Sequence, residues 1–153
     1  MARVDYFHDP KANSLRPAVS AFVQDETGRL LMIRRTDNDK YAISGGQQEV
    51  GETLAQAAVR EVKEETGVEV EVTGLIGLYS NPDHVIAYDD GEVRQEFSIC
   101  FRARFLGGEL QTSSQSKEVM WVEHGQLPEL NIHPSILMRL KRGFENRAEP
   151  YFT

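Results

Sequence analysis

Residues 46–68, GQQEVGETLAQAAVREVKEETGV, constrain this chain more than any other segment, because they specify a helix and its charge together. Within them, residues 53–66 contain no Gly or Pro, are rich in alanine, and run directly into Gly67, a residue type common just past a helix end. The spacing therefore predicts a helix that stops at Gly67. At about 100° per residue, Glu61, Glu64 and Glu65 share one face of it. Ala55, Ala58, Val59, Val62 and the methyl of Thr66 form the bordering stripe that should face a core. Gln56, Arg60 and Lys63 point to solvent or to a neighbouring loop.

Such an acidic face costs stability. Like charges three and four residues apart each destabilise a helix by about 0.2–0.5 kcal/mol, and carboxylates near its C-terminus oppose the helix dipole. A need for concentrated negative charge explains the pattern; the alternative is a solvated face partly neutralised by Arg60 and Lys63. Upstream residues favour the first. Gly45 and Gly46 are expected in a loop after the apolar stretch 41–43, where paired glycines let a backbone pass close to a ligand or take positive φ. Glu49 and Glu52 share that loop, and Glu52 at the helix entry also suits the dipole on its own. Carboxylates and carbonyls converging without paired Cys or His describe a hard-oxygen site, for Mg²⁺ or Mn²⁺ rather than zinc.

The order Gly46, five residues, Glu52, seven residues, then Arg60-Glu61-Val62-Lys63-Glu64-Glu65-Thr66-Gly67-Val68 resembles the Nudix box, the signature of the Nudix hydrolases. The resemblance implies an α+β fold, an α-β-α sandwich with a mixed sheet between helices, and the box as loop, helix and loop on its flank. It also implies metal-dependent hydrolysis of a diphosphate linkage. Mg²⁺, or Mn²⁺ in its place, would be held by Glu61, Glu64 and Glu65, with the Gly45 carbonyl and Glu52 completing or supporting the shell. Arg60 would orient the box glutamates without touching substrate. The chain departs from the family pattern at Ser44, where proline is common before the glycine pair. For the general base, relatives use the box helix or a carboxylate elsewhere, which leaves Glu61, Glu96 and Glu118. Glu118, just before the strand with Trp121, is favoured, although Glu96 and Glu118 also read as strand-edge charges or salt-bridge partners.

Length and composition agree. At 153 residues the chain has the size of one domain, read as a single unit over 1–153 with its core over about 16–145. A net charge of −7 argues against a nonspecific nucleic-acid binder. The single cysteine, Cys100, excludes a disulfide within the chain, reads as a packing residue and is compatible with a reducing compartment. With no signal-peptide pattern and no apolar run near 18 residues, a soluble cytoplasmic protein is expected.

Along the chain, Ala18–Gln24 reads as a strand, residues 25–28 as a turn and residues 29–34 as the returning strand of a hairpin. Residues 68–78, 94–105 and 118–122 read as further strands. Residues 80–93 read as a loop with a short hairpin turned at Asp89-Asp90-Gly91. Pro134–Glu145 has helical spacing, with proline in the favourable first turn. The first dozen residues and the tail from Arg147 are extensions without an assigned packing partner, and the aromatics of the YFT tail suit a homodimer contact.

The moiety attached to the diphosphate is read outside the box. Arg34, Arg35, Lys40 and Arg94 suit phosphates, Tyr41, Tyr79, Tyr88 and Phe97 suit a base, and Glu96 is a further candidate contact. Each also reads as a surface charge or a core aromatic. His8, His84, His124 and His133 have no metal-ligand spacing. The preferred substrate is a nucleoside diphosphate linked to another moiety, of the ADP-ribose or nucleotide-sugar type, because residues 80–93 could accommodate a larger group. The alternatives are a (deoxy)nucleoside triphosphate, a non-catalytic nucleotide-sensing module, and isomerase chemistry on an isoprenoid diphosphate, which would need Cys100 in a pocket.

Overall fold

The computed structural model describes residues 3–7 and 11–153. Along the chain come β1 (Arg3–Phe7), β2 (Ser14–Leu15), β3 (Ala18–Gln24), β4 (Leu30–Arg35), β5 (Tyr41–Ala42), β6 (Gly45–Gln47), α1 (Leu54–Thr66), β7 (Glu69–Tyr79), β8 (His84–Tyr88), β9 (Val93–Gln95), β10 (Ser98–Gly107), β11 (Ser116–Val122), a 3-10 turn (His124–Glu129), α2 (Pro134–Glu145) and β12 (Tyr151–Phe152). The larger sheet has the order β11-β4-β3-β10-β7-β12. It is mixed: β10 runs parallel to β3 and antiparallel to β7.

β3 and β4 are buried along most of their length, as strands covered on both faces must be. Ala21, Val23 and Leu31 meet Val62 of α1 on one face, and Val19 meets Ala57 and Ala58. Phe22, Leu30, Met32 and Cys100 meet Leu140 of α2 on the other. The helix-sheet-helix sandwich follows from this alternation. Cys100 is wholly buried in that second layer, lines neither cavity described below, and is the packing residue expected.

The expected hairpin is a fork. β3 and β4 pair only at Gln24↔Leu30 and then separate; β5 pairs with β4 and β6 with β3, so residues 41–47 fill the gap. Gly45 and Gly46 thus lie in a short strand and not in a loop, and neither has a positive φ. Their small size is needed for close approach: a Cβ on Gly45 would meet the Val19 carbonyl, and one on Gly46 would meet the Glu61 carboxylate.

α1 starts at a capping box in which Thr53 accepts from the Gln56 amide and Gln56 accepts from the Thr53 amide. It ends at Gly67, φ 80°, whose N–H donates to the Lys63 carbonyl at 3.0 Å. Its buried stripe differs from the expected one. Ala57 takes the place of Ala55, and Glu61 and Glu65 lie within the stripe, not beside it. The offset arises because the stripe faces both the sheet and the Gly45-Gly46 strand, and only a glycine at 46 leaves room there for a carboxylate.

Residues 3–7 and 14–15 are no loose extension. β1, β8, β9 and β2, in that order, form a second sheet, with β8 and β9 joined at Gly91, φ 90°, where the hairpin turn was expected. Residues 94–105 are accordingly not one strand: Gln95 pairs with Val85 in the small sheet and Ser98 with Ala18 and Tyr79 in the large one. Glu96 and Phe97 make the crossing. The tail pairs in parallel with β7, so Tyr151 packs against Tyr79 with ring centroids 5.3 Å apart while Phe152 stays exposed. Among the described residues, no helix is long and apolar enough to cross a membrane.

Candidate active site

Arg60 organises the site. Its guanidinium donates from Nε to Glu52 Oε2 at 3.0 Å and from Nη2 to Glu52 Oε1 at 2.7 Å and the Gln47 carbonyl at 2.9 Å. From Nη1 it donates to Glu61 Oε1 at 2.9 Å and, more weakly, to Glu64 Oε2 at 3.3 Å, with Glu49 3.7 Å away. One turn of α1 is thereby tied to the segment entering it. Glu52 also accepts from the Glu49 amide at 2.8 Å, so it latches the loop while Thr53 caps the helix.

The glutamates behind Arg60 lie in very different surroundings. Glu65 is almost wholly buried, and its Oε1 accepts from the Gly45 amide at 2.9 Å. Burial, reinforced by the Glu61 charge and only partly opposed by the Gly45 amide, pushes its carboxyl up to about 8. Burial raises Glu61 as well, against the pull of Arg60. Glu64 is largely exposed. An all-oxygen cluster whose buried members are driven toward the neutral form is one that a hard divalent cation relieves, and its donor set fits such an ion.

A cavity of about 410 Å³ opens from this cluster between the two sheets. Glu61, Gly45, Gly46 and Glu49 line one end. Tyr41, Lys40 and Arg35 come from the fork, and Tyr88, Arg94 and Phe97 from the β8–β9 side. Arg94 lies 4.7 Å from the Tyr88 ring centroid and is held by Glu92 at 2.8 Å; Arg35 is held by Asp37 at 2.6 Å. Lys40 carries no ion pair among those resolved in the described residues.

This sequence matches the family model described as the NUDIX domain over residues 14–140. It is 37% identical to the ADP-ribose pyrophosphatase of Methanocaldococcus jannaschii over 84% of this chain and 78% of that protein. The chain belongs to the Nudix hydrolase family. It is also 38% identical to a MutT-like protein of Streptomyces ambofaciens, over 73% of this chain and 66% of that protein. A solved NUDIX hydrolase from Nitrosomonas europaea superposes with a TM-score of 0.73 at 25% identity, over 92% of this chain and 77% of that one. As a Nudix hydrolase it is a pyrophosphohydrolase acting on phosphoanhydride bonds, in a family that is generally divalent-metal dependent and acts on small nucleotide substrates.

In this Nudix hydrolase the residues singled out by sequence fall into three groups. Gly45, Glu52, Arg60, Glu61, Glu64 and Glu65 form the cluster just described. Arg35, Tyr41, Arg94 and Glu96 line the cavity with Gly45 and Glu61. Arg34 and Glu118 form a surface pair beside it, 3.3 Å apart, in which Glu118 also accepts from the Tyr41 hydroxyl at 3.1 Å. Tyr79 lies in the core, under Arg139 at 4.3 Å. His124 stacks on Phe144, and His8 lies outside the described residues.

Glu96 is buried at the crossing between the sheets. One oxygen accepts from Arg139 at 2.7 Å and faces His84 Nδ1 at 3.0 Å; the other accepts from the Asn81 amide at 3.2 Å. His84 Nε2 meets Asp5 Oδ2 at 3.0 Å, and Asp5 is gripped by Arg3 at 2.8 Å. Sequence reading did not single out Asp5 or Arg139 and set His84 and His133 aside for lack of metal-ligand spacing, although all four line the cavity. Ligand atoms of Asp5, His84 and His133 lie within 4.8 Å of one another. Their separation along the chain hid this grouping, and the one available signal was the alternation of β1, which places Arg3 and Asp5 on one face.

Proposed function

We propose that this Nudix hydrolase cleaves the diphosphate of a nucleoside diphosphate joined to another moiety, of the ADP-ribose or nucleotide-sugar type, with Mg²⁺ as the working ion and Mn²⁺ able to replace it. The observation that carries this reading is the cavity of about 410 Å³ that continues from Glu61 past Arg94 to the small sheet. A diphosphate at the glutamates then leaves a walled space for a second group, as a pocket of this size suits. The name borne by the archaeal relative supports the same class.

Glu61, Glu64 and Glu65, with Gly45 and Glu52 supporting, would hold the divalent ion, which when bound would supply charge neutralisation and an activated water. Arg60 keeps the glutamates aligned, which makes it a positioning residue. Glu118, poised by Tyr41 and Arg34, serves as the base that accepts the water proton. Arg35 and Arg94 orient phosphate oxygens, and Tyr41 faces the base or sugar. Glu96 shapes the cavity wall through Arg139 and His84 and does not reach for substrate.

Mass-spectrometric product analysis with ADP-ribose, nucleotide sugars, dinucleoside polyphosphates and nucleoside triphosphates, with Mg²⁺, with Mn²⁺ and with chelator, tests the proposal. Cleavage of ADP-ribose or a nucleotide sugar to a nucleoside monophosphate is expected. Turnover confined to triphosphates would overturn the substrate class.

A further inference from the structure

A second cavity, of about 460 Å³, lies at the opposite end of α2 from the first and shares no residue with it. β7 and β12 wall it, and Arg102 of β10, Arg142 of α2 and Arg147 contribute to its lining. On a chain of net charge −7, this cationic lining is the reverse of the overall balance. Glu149 is the acidic member of the wall.

Two of these arginines, Arg102 and Arg142, are poorly paired within the protein. Arg102 donates from Nη2 to the Gly143 carbonyl at 2.8 Å and lies 5.4 Å from the Phe22 ring centroid; no ion pair to a carboxylate is resolved for it among the described residues. Burial lowers its pKa, the response of a cation that has lost water without gaining an anion. Arg142 lies 4.3 Å from the Tyr151 ring centroid, and its nearest resolved carboxylate oxygen, on Glu145, is 3.8 Å away, beyond a hydrogen bond. Arg147 Nε takes that same oxygen at 2.9 Å.

A purely structural role accounts for one contact. A cation at the carboxyl end of α2 suits the helix dipole, and the Arg102 bond to Gly143 supplies it. The remaining donors of Arg102 and the guanidinium of Arg142 border the same cavity. A partly buried guanidinium without an anion, as at Arg102, is costly, and the planar forks of both arginines match phosphate oxygens in pairs. The volume falls in the range of small-ligand pockets.

We propose that this cavity binds a phosphate-bearing small molecule, with Arg102 and Arg142 holding the phosphate, Arg147 closing from the rim, and the Tyr151 ring beside it. The site is independent of the hydrolytic cleft and of the substrate proposed for it.

The test titrates the full chain, kept in chelator at constant ionic strength, with inorganic phosphate and separately with a nucleoside monophosphate, following arginine Nε–H resonances and calorimetric heat. Saturable shifts at Arg102 and Arg142 are expected, with the dissociation constant raised about tenfold or more in Arg142→Gln. Saturation by phosphate alone identifies the free ion as sufficient; saturation only by the nucleotide requires the attached nucleoside. If Arg102→Met does not fold, Arg142→Gln and Arg147→Gln decide the matter. Absence of binding by both probes, shifts confined to Arg35 and Arg94, or an affinity unchanged in both Arg142→Gln and Arg147→Gln would overturn the proposal.

Discussion

Two charge clusters border the same cavity, and they are balanced in opposite ways. Around Arg60, one guanidinium faces Glu49, Glu52, Glu61 and Glu64, with Glu65 buried behind them. Around His84, the carboxylates Asp5 and Glu96 meet Arg3, Arg139 and the imidazole itself. In the first cluster burial wins, and the carboxyls of Glu61 and Glu65 are raised. In the second, burial is the largest opposing effect but is overcome by hydrogen bonds from His84 and the arginines, and Asp5 and Glu96 are held low. Proximity of acidic groups alone therefore does not mark a metal site. Unbalanced charge does, and the His84 cluster is already closed by its own cations.

Substituting one glutamate from each cluster should separate the two most strongly. Glu65→Gln is expected to lower kcat by about two orders of magnitude or more at saturating Mg²⁺, while the metal-free protein stays folded with an undiminished urea midpoint. Near-normal turnover would remove Glu65 from the catalytic set. Glu96→Gln should do the reverse: its side chain is only 4% exposed and paired with Arg139, so stability should drop by about 3 kcal/mol in urea denaturation. An unchanged midpoint would mean that the second cluster is not the closed structural unit inferred from its geometry.

The next effect is smaller and concerns protons. With Glu65 pushed up to about 8, the metal-free protein carries that proton at neutral pH, and loading Mg²⁺ at pH 7 should release about one proton. Calorimetry in buffers of different ionisation enthalpy measures it, and no release would contradict the imbalance. The smallest effect is expected at His84. Burial disfavours its charged form, but the bonds to Asp5 and Glu96 prevail and raise its pKa. Its contribution to stability should thus be complete below its unfolded value of about 6.5 and be lost as pH rises through the higher folded value. Arg3, Arg139 and His133 also face this group. Amide exchange in β1 should accelerate over that window beyond its intrinsic pH dependence, and His84→Gln should remove the extra slope.

The helix of the box was legible because its signals are local: Thr53 and Gly67 at the ends, alanines between, and carboxylates spaced to share a face. β3 and α2 were legible for the same reason, with bounds that match the expected ones. Legibility ended where partners are distant in sequence. Glu96 reads as a strand-edge charge or a salt-bridge partner, and only the fold names Arg139 and His84 as its partners; residues 94–105 look continuous although the chain changes sheets within them. Apart from the alternation of β1, the extensions gave no periodic signal, since strands as short as β2 and β12 derive their stability from the neighbours they pair with.

By itself, the amino-acid sequence determined the box helix, the clustering of its glutamates and the family chemistry these imply, because each depends on residues within a few turns of one another. Only the tertiary structure decided which carboxylates are unbalanced and which are closed, how Gly46 makes room for Glu61, where the cavity runs, and that residues 3–7 and 151–152 pair into sheets. Burial and charge pairing are set by what folds against a residue, and those partners lie tens of residues away along the chain.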